Sequence, residues 1–192
     1  LDILAHVSTH LPEQSKLLLA VSGGVDSVVL LHLLQSLSHQ KSLTLGVIHL
    51  NHGIRVASDD DAKFVGEFAS RLEIPFFFFF INLKDSQGIL ENIGCKERYQ
   101  FFSEILNQEK YDWVLTAHTA SDVVETYLMR ILSNKEPRLI QRRDEKRRVM
   151  RPLLDVFRSD ITKYAALNQI SFVTDESNSD STFLRNRVRN EL

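Results

Sequence analysis

The sequence contains a single cysteine, Cys95, among 192 residues. A disulfide within the chain, a cysteine-rich metal site and chemistry that needs a cysteine pair are therefore excluded. No apolar run is long enough to cross a lipid bilayer. The five phenylalanines at 76–80 are far too few, and we interpret them as a buried strand. No signal peptide is visible, and the first residue is leucine, which indicates a trimmed or missing start. We expect a cytoplasmic protein.

The net charge is only −2, which does not by itself indicate a nucleic-acid-binding protein. Basic residues are nevertheless concentrated between Lys135 and Arg151 and again at the end of the chain. A solvated, mobile loop is the simpler interpretation of such a run. A surface that binds a polyanion such as a nucleic acid is the alternative, because local positive charge matters more to a polyanion than the total charge does. The candidate contacts to such a partner are Arg142, Arg143, Arg147, Arg148, Arg185 and Arg189.

Short apolar runs alternate with segments of helical periodicity along the chain. The runs at 17–21, 43–49, 76–81, 113–117 and 170–173 indicate strands of a parallel sheet, buried on both faces. Helical spacing follows Ser27, Ser58, Glu91, Val124 and Arg158. This order predicts an α/β fold with a doubly wound, mostly parallel five-stranded sheet and helices on both faces. Two segments look irregular, 134–149 and everything after Thr174.

The segment Ser-Gly-Gly-Val-Asp-Ser at 22–27 interrupts two apolar runs, directly after the first predicted strand. Ligands bind α/β sheets outside the carboxyl ends of the strands. Gly23 and Gly24 permit a tight turn that exposes backbone N–H groups, and a following helix N-terminus attracts anions. Ser22 and Ser27 add hydroxyl donors. Asp26 would repel a phosphate unless Mg²⁺ lay between them, so the set predicts a site for a metal-bound polyphosphate.

The loop has two other interpretations. It lacks the lysine of the G-x-x-x-x-G-K-[ST] phosphate loop and is not G-x-G-x-x-G, which makes a dinucleotide less favoured. A plain strand–helix turn, capped by Ser27, is the simplest alternative. The combination of two serines, two glycines and an aspartate favours phosphate.

Three further polar groups follow predicted strands or lie on a predicted helix. His49 and His52 can serve as metal ligands, proton carriers or base contacts, or can be purely structural. Arg98 can meet a phosphate or remain a surface cation. Asp122 and Glu125 can complement a helix dipole or attract a cationic amine.

The Ser-Gly-Gly-x-Asp-Ser segment resembles that of the N-type ATP pyrophosphatases, or PP-loop enzymes. Further segments resemble the tRNA(Ile)-lysidine synthetase branch: HLNHGIR at 49–55, ENIGCKERYQFF at 91–102, AHTASDVVET at 117–126, RPLL at 151–154 and DESNSDSTFLRNRVR at 175–189. The resemblance implies an adenine nucleotide α-hydrolase-like fold that uses ATP and Mg²⁺. The implied ATP contacts are Ser22, Gly23, Gly24, Val25, Asp26, Ser27, His49 and His52. The implied catalytic residues are Asp26, Arg98, Asp122 and Glu125, with Asp26 also near the metal.

The family reaction adenylates the wobble cytidine of an isoleucine tRNA with a CAU anticodon and then joins L-lysine to it. The resemblance also implies that 1–192 is one catalytic domain, with 175–192 leading to C-terminal domains that this chain lacks. Thr119, Ser121 and Val123 replace residues usual in the family, and a Gly-rich segment is missing near 134–150. Another PP-loop ligase or amidotransferase, or a degenerate ATP-binding module, therefore stays open. The oligomeric state also stays open, with a homodimer as one of the alternatives.

Overall fold

The computed structural model describes residues 2–51, 58–80, 90–134 and 136–173, without the side chains of 58–59 and 90–96. Its helices are α1 Ile3–His10, α2 Val25–Ser38, α3 Ser58–Arg71, α4 Leu90–Gln108, α5 Ala120–Leu132 and α6 Arg158–Leu167. Its strands are β1 Lys16–Ala20, β2 Thr44–Asn51, β3 Phe76–Phe80, β4 Trp113–Leu115, β5 Arg143–Asp144 and β6 Val149–Met150. Strands and helices alternate from β1 to α5, as the sequence predicts.

The strands form one sheet in the order β3-β2-β1-β4-β6-β5. Every neighbouring pair is parallel except β5 with β6, which is antiparallel. The doubly wound, mostly parallel sheet is thus confirmed, with six strands rather than five. From β1 the chain builds outwards to β2 and β3, and then returns to the other side of β1 to form β4.

The core consists of two layers, one on each face of the sheet. Leu17 and Leu19 belong to the layer that includes α1, α2, α3 and α6, whereas Leu18 belongs to the layer that includes α4. All three side chains are at most 1% exposed. Burial on both faces explains why β1 is continuously apolar instead of alternating. Under α4, Gly46 leaves room for Tyr111, whose hydroxyl would lie 2.1 Å from an added Cβ.

Two predicted strands differ from the structure. The predicted strand at 170–173 is wrong, because this segment is irregular and its Val173 N–H donates to the Gly23 carbonyl. The strand that lies beside β4 is instead β6. The phenylalanine strand exists, but it is an edge strand, and Phe78 and Phe80 are almost half exposed. Its expected burial on both faces is therefore wrong.

The basic segment at 134–149 was expected to be irregular and instead contains the β5–β6 hairpin. Helix α1, which the sequence analysis did not predict, begins where the Asp2 carboxylate accepts a hydrogen bond from the Ala5 N–H at 3.1 Å. In helix α5 the predicted apolar stripe is present, but Val124, Tyr127 and Ile131 are at least 40% exposed. Among the helices that the structure describes, none is long and apolar enough to span a membrane.

Candidate functional site

The loop at 22–27 and the start of α5 lie side by side where the parallel strands have their carboxyl ends. This side of the sheet is called the loop edge below. They follow β1 and β4, which are parallel neighbours, with Leu17 opposite Trp113 and Leu19 opposite Leu115. The direction in which the sheet is built reverses between these two strands. A crevice between the loops is expected at such a position, and it is where α/β sheets bind ligands.

Gly23 makes the turn between β1 and α2. Its φ is +95°, a conformation that L-residues with side chains rarely adopt. An added Cβ would also meet Val173 at 3.4 Å. Gly24 is the N-cap of α2, with φ −69°, and no side chain caps this helix. The Ser27 N–H donates to the Gly24 carbonyl at 3.1 Å, and the Gly24 N–H donates to Ser22 Oγ at 3.4 Å. The helix dipole makes this helix start a place where an anion is stabilised.

Two serine hydroxyls hold the loop in shape. Ser27 donates from Oγ to the Gly24 carbonyl at 2.9 Å and accepts from the Ser22 N–H at 3.2 Å. The two hydroxyl oxygens are 3.2 Å apart. Ser27 is therefore the third residue of the helix and not its cap, which corrects the simplest interpretation of this turn. The positive φ at Gly23 and the glycine N-cap at Gly24 match the tight turn that was predicted for a phosphate site.

Asp26 is in the first turn of α2 and forms an ion pair with Arg158, the first residue of α6. The distance from Arg158 Nη2 to Asp26 Oδ2 is 2.7 Å, and the carboxylate side chain is 15% exposed. Arg158 was predicted only as a helix boundary. Nothing in the local sequence connects two residues 132 positions apart.

Helix α5 begins with a capping box. The Thr119 N–H and hydroxyl both donate to Asp122 Oδ2 at 2.8 Å, and the Asp122 N–H donates to Thr119 Oγ1 at 3.3 Å. Thr119 is buried, and Glu125, one turn further along, is also buried. The structural alternative for Asp122, support of the helix start, is therefore realised. Its catalytic role and that of Glu125 stay predictions.

The histidines near this edge are held by hydrogen bonds of ordinary length. His49 donates from Nδ1 to the Val21 carbonyl at 2.8 Å, because a carbonyl can only accept. Burial lowers the pKa of His49 below its ordinary 6.5, although the Val21 hydrogen bond and Asp61 act in the opposite direction. A neutral His49 thus ties β2 to the last residue before the loop. His118 Nδ1 lies 2.9 Å from the Thr116 hydroxyl.

A pocket of about 700 Å³ lies beside the β5–β6 hairpin, and its lining includes three arginines, Arg138, Arg147 and Arg151, together with Asp144. Arg147 lies over the Tyr99 ring, with its guanidinium carbon 4.9 Å from the ring centroid. Arg151 is buried and donates to the Gln141 carbonyl and to the Tyr99 hydroxyl. Tyr99 was not predicted as a site residue. Arg98, next to Tyr99 on α4, is partly buried.

The four described arginines of the predicted RNA surface are dispersed. Arg142 pairs with Asp155, and Arg143 lies 4.6 Å over the Trp113 ring. Arg147 pairs with Asp144 at 2.9 Å, and its hydrogen bond lowers the pKa of that carboxyl. Arg148 donates to the Tyr111 carbonyl at 3.3 Å, at the opposite edge of the sheet from the loop. The other predicted site residues, His52, Arg185 and Arg189, lie outside the described residues.

Comparison with known proteins agrees with this architecture. A family model described as a PP-loop domain matches residues 3–192. The tRNA(Ile)-lysidine synthase of Petrotoga mobilis is 37% identical over 186 residues, which cover 92% of this chain and 58% of the relative. The enzyme of the same name from Coxiella burnetii is 33% identical over 190 residues, with 96% and 42% covered. The predicted resemblance is confirmed, and the chain spans about half the length of these curated relatives.

Solved structures with the same fold are more distant in sequence. The U34-tRNA thiolase NcsA from Methanococcus maripaludis superposes with a TM-score of 0.79 at 17% identity, covering 97% of this chain and 70% of that one. NMN synthetase from Francisella tularensis gives a TM-score of 0.60 at 16% identity, covering 88% and 69%. At such identities the likeness concerns the fold alone.

Proposed function

The chain belongs to the PP-loop domain family, and we propose that it is the ATP-binding catalytic unit of a tRNA(Ile)-lysidine synthase. In the proposed reaction, the C2 oxygen of the wobble cytidine attacks the α-phosphorus of ATP, and pyrophosphate leaves. The ε-amine of lysine then attacks C2, AMP departs with the C2 oxygen, and the amine proton passes to a base. The products are lysidine, AMP and pyrophosphate.

One observation carries the proposal: helix α2 begins without a side-chain cap directly behind the positive-φ turn at Gly23. In most helices a serine, threonine or aspartate occupies the N-terminal amides. Here those amides face the edge at which α/β sheets bind ligands, and the turn holds its shape through its own two serines. A triphosphate tail supplies the acceptors that such a site requires. The curated relatives supply the reaction class.

The donor set at Asp26 fits Mg²⁺, since carboxylate and hydroxyl oxygens are the ligands that this ion prefers. The Arg158 guanidinium beside Oδ2 already occupies a position where positive charge is stable. Asp26 would hold the ion. Bound there, Mg²⁺ would neutralise negative charge on the departing pyrophosphate.

The start of α5 is the proposed position for lysine. Glu125 is a carboxylate buried one turn into the helix, and a negative charge there attracts a cationic amine. We assign Glu125 to orient the lysine ammonium and Asp122 to hold the helix start that places it. Arg98 is assigned to the charge that develops on the adenylate.

The arginine-lined pocket is the proposed contact for the RNA backbone. Arg138 is 74% exposed, and Arg147 is 56% exposed and stacks on Tyr99. A guanidinium on an aromatic ring suits both a phosphate and a flat base. Arg148 points away from this pocket towards Tyr111, so its contribution to RNA binding is expected to be smaller.

A thiolation reaction like that named for the archaeal neighbour finds no support in these residues. That neighbour is described with a [4Fe-4S] cluster. Such clusters are held by several cysteine thiolates, and the 192 residues contain one. We therefore favour transfer of an amine over transfer of sulfur.

The test is a ligation assay with ATP, Mg²⁺, labelled lysine and isoleucine tRNA bearing a CAU anticodon. The enzyme from Petrotoga mobilis serves as the positive control. The proposal expects labelled tRNA and equal amounts of AMP and pyrophosphate. AMP formed only with another acceptor indicates a different PP-loop ligase, and ATP binding without turnover indicates a nucleotide-binding module. Either result, with an active control enzyme, overturns the proposal.

A further inference from the structure

A cluster of metal-ligating side chains lies outside the loop edge described above. His6 and His10 are four residues apart on α1, so they project from one face of that helix. Asp155 faces them from the turn before α6. One ligand atom from each of the three side chains lies within 4.8 Å of the others.

We propose that His6, His10 and Asp155 form a binding site for a divalent transition metal ion of the Zn²⁺ class. Two imidazoles and one carboxylate are a known ligand set for Zn²⁺, with a fourth position left for water. Imidazole nitrogen selects Zn²⁺ and its neighbours over Mg²⁺ and Ca²⁺, which prefer oxygen alone. The site is therefore distinct in its chemistry from the proposed Mg²⁺ site at Asp26.

An unsatisfied nitrogen supports the assignment. His6 Nε2 is buried and has no hydrogen-bond partner, and it lies 3.9 Å from Asp155 Oδ2. Buried polar atoms without partners are rare in folded proteins and require an explanation, such as an ion. A metal ion between this nitrogen and the carboxylate would satisfy both.

The three side chains are carried by fixed backbone. Ile3 and Val7 are buried and anchor α1 to the core beside the histidine face. On the other side, the Val156 N–H donates to the Leu153 carbonyl at 2.9 Å, and both side chains are fully buried. Tetrahedral Zn²⁺ places its ligand atoms about 3.3 Å apart, so side-chain rotations need to close the set by about 1.5 Å. No backbone rearrangement is required.

Arg142 sets the cost of binding, because its guanidinium forms an ion pair with Asp155. A metal ion and this guanidinium compete for the same carboxylate. Metal binding therefore releases Arg142 from Asp155. Removal of Arg142 should strengthen metal binding, which a purely structural histidine pair does not predict.

The test uses chelator-treated protein titrated with Co²⁺, whose visible absorption reports tetrahedral coordination, followed by displacement with Zn²⁺. We expect one equivalent per chain, displaced by Zn²⁺ and not by Mg²⁺. H6Q, H10Q and D155N should each weaken binding about tenfold or more. R142A should tighten it about threefold or more. H39Q, which removes an exposed histidine at the end of α2, is the matched control and should change nothing.

Circular dichroism of each variant establishes that it is folded. If H6Q does not fold, H10Q provides the test. Zn²⁺ should also raise the melting temperature of the unaltered chain and not that of H10Q. Absence of binding at micromolar metal would overturn the proposal. So would binding that H10Q and H39Q weaken equally, or that R142A weakens. None of these outcomes bears on ATP binding at the loop edge.

Discussion

Helices α2 and α5 begin at the same edge of the sheet, after neighbouring parallel strands, yet their first turns differ. Helix α5 is closed by the reciprocal hydrogen bonds of Thr119 and Asp122. Helix α2 has a glycine N-cap, no side-chain cap, and an aspartate that turns instead to an arginine of α6. The start of α5 is the closed end, which its own side chains cap. The start of α2 is the open end, where no side chain caps the helix and the helix dipole favours a bound anion.

The difference assigns separate duties to two carboxylates that look equivalent in sequence. Asp122 stabilises its own helix, since its three hydrogen bonds with Thr119 are local. Asp26 makes a long-range contact with a cation. The comparison predicts that variants at the open end change nucleotide chemistry, and that variants at the closed end change stability.

The largest effect is expected for Asp26→Asn. This change removes the charge and keeps the shape, so the fold should persist while AMP formation falls roughly 100-fold or more. The measurement is pyrophosphate release in the ligation assay. Asp112→Asn is the matched control at the opposite edge, where that carboxylate accepts from the Lys16 N–H. Normal turnover in the Asp26 variant would remove the metal role.

Gly23→Ala tests the turn itself. A side chain at φ +95° is strained, and its Cβ meets Val173. We expect a loss of about 1–2 kcal/mol in the free energy of unfolding and about tenfold weaker ATP binding. Gly24→Ala is the control, because φ there is −69° and the nearest atom to an added Cβ is 3.5 Å away. Equal destabilisation by both variants would contradict the role of the turn.

Arg158→Ala examines the cation beside Asp26. Because the carboxylate is only 15% exposed, loss of its partner should cost about 1 kcal/mol in urea unfolding without Mg²⁺. Added Mg²⁺ should restore part of that loss, and the double variant with Asp26→Asn should regain stability. Arg138→Ala removes an arginine whose glutamate pair is fully at the surface and should have no measurable effect. A loss that Mg²⁺ and the second substitution both leave unchanged would show that the pair is only structural.

Thr119→Ala probes the closed end. Loss of the capping hydroxyl should lower the free energy of unfolding by about 1 kcal/mol. ATP affinity should change less than about twofold, because the amides of α2 are untouched. Thr119→Ser keeps the hydroxyl and should retain most of the stability. A variant that folds normally but loses ATP binding would erase the distinction between the two helix ends.

The smallest effect concerns pH. Burial lowers the pKa of His49 in the folded state below its ordinary 6.5. The folded chain thus binds this proton less readily than the unfolded chain does. Stability from a neutral His49 is present above pH 6.5 and is lost as the pH falls through the lowered pKa. His49→Asn keeps a donor for the Val21 carbonyl and cannot titrate, so its stability should fall less between pH 7 and 5. Parallel pH profiles would show that His49 contributes nothing.

The loop at 22–27 was predictable because its chemistry is local. Two adjacent glycines, flanked by serines between two apolar runs, indicate a turn between strand and helix without any knowledge of distant residues. The alternative that Ser27 caps the helix was wrong by three residues, since Gly24 is the N-cap. Helix boundaries of this kind depend on backbone angles that side-chain patterns do not specify.

The β5–β6 hairpin was not predictable in the same way. Each of its strands has only two residues, which is too short for a hydrophobic period to be recognised in the sequence. The segment at 170–173 has the composition of a strand but approaches Gly23 instead of joining the sheet. Which of two candidate segments takes a sheet position depends on the packing of the whole chain.

By itself the sequence determined the parallel α/β architecture, the apolar strands β1, β2 and β4, and the glycine turn that precedes α2. These follow from periodicity and turn chemistry over a few residues. Only the tertiary structure placed Arg158 on Asp26, Arg151 on Tyr99, and Asp155 beside two histidines of α1. Such pairs join residues dozens of positions apart, and the energy that selects them comes from burying the core between the helices and the sheet.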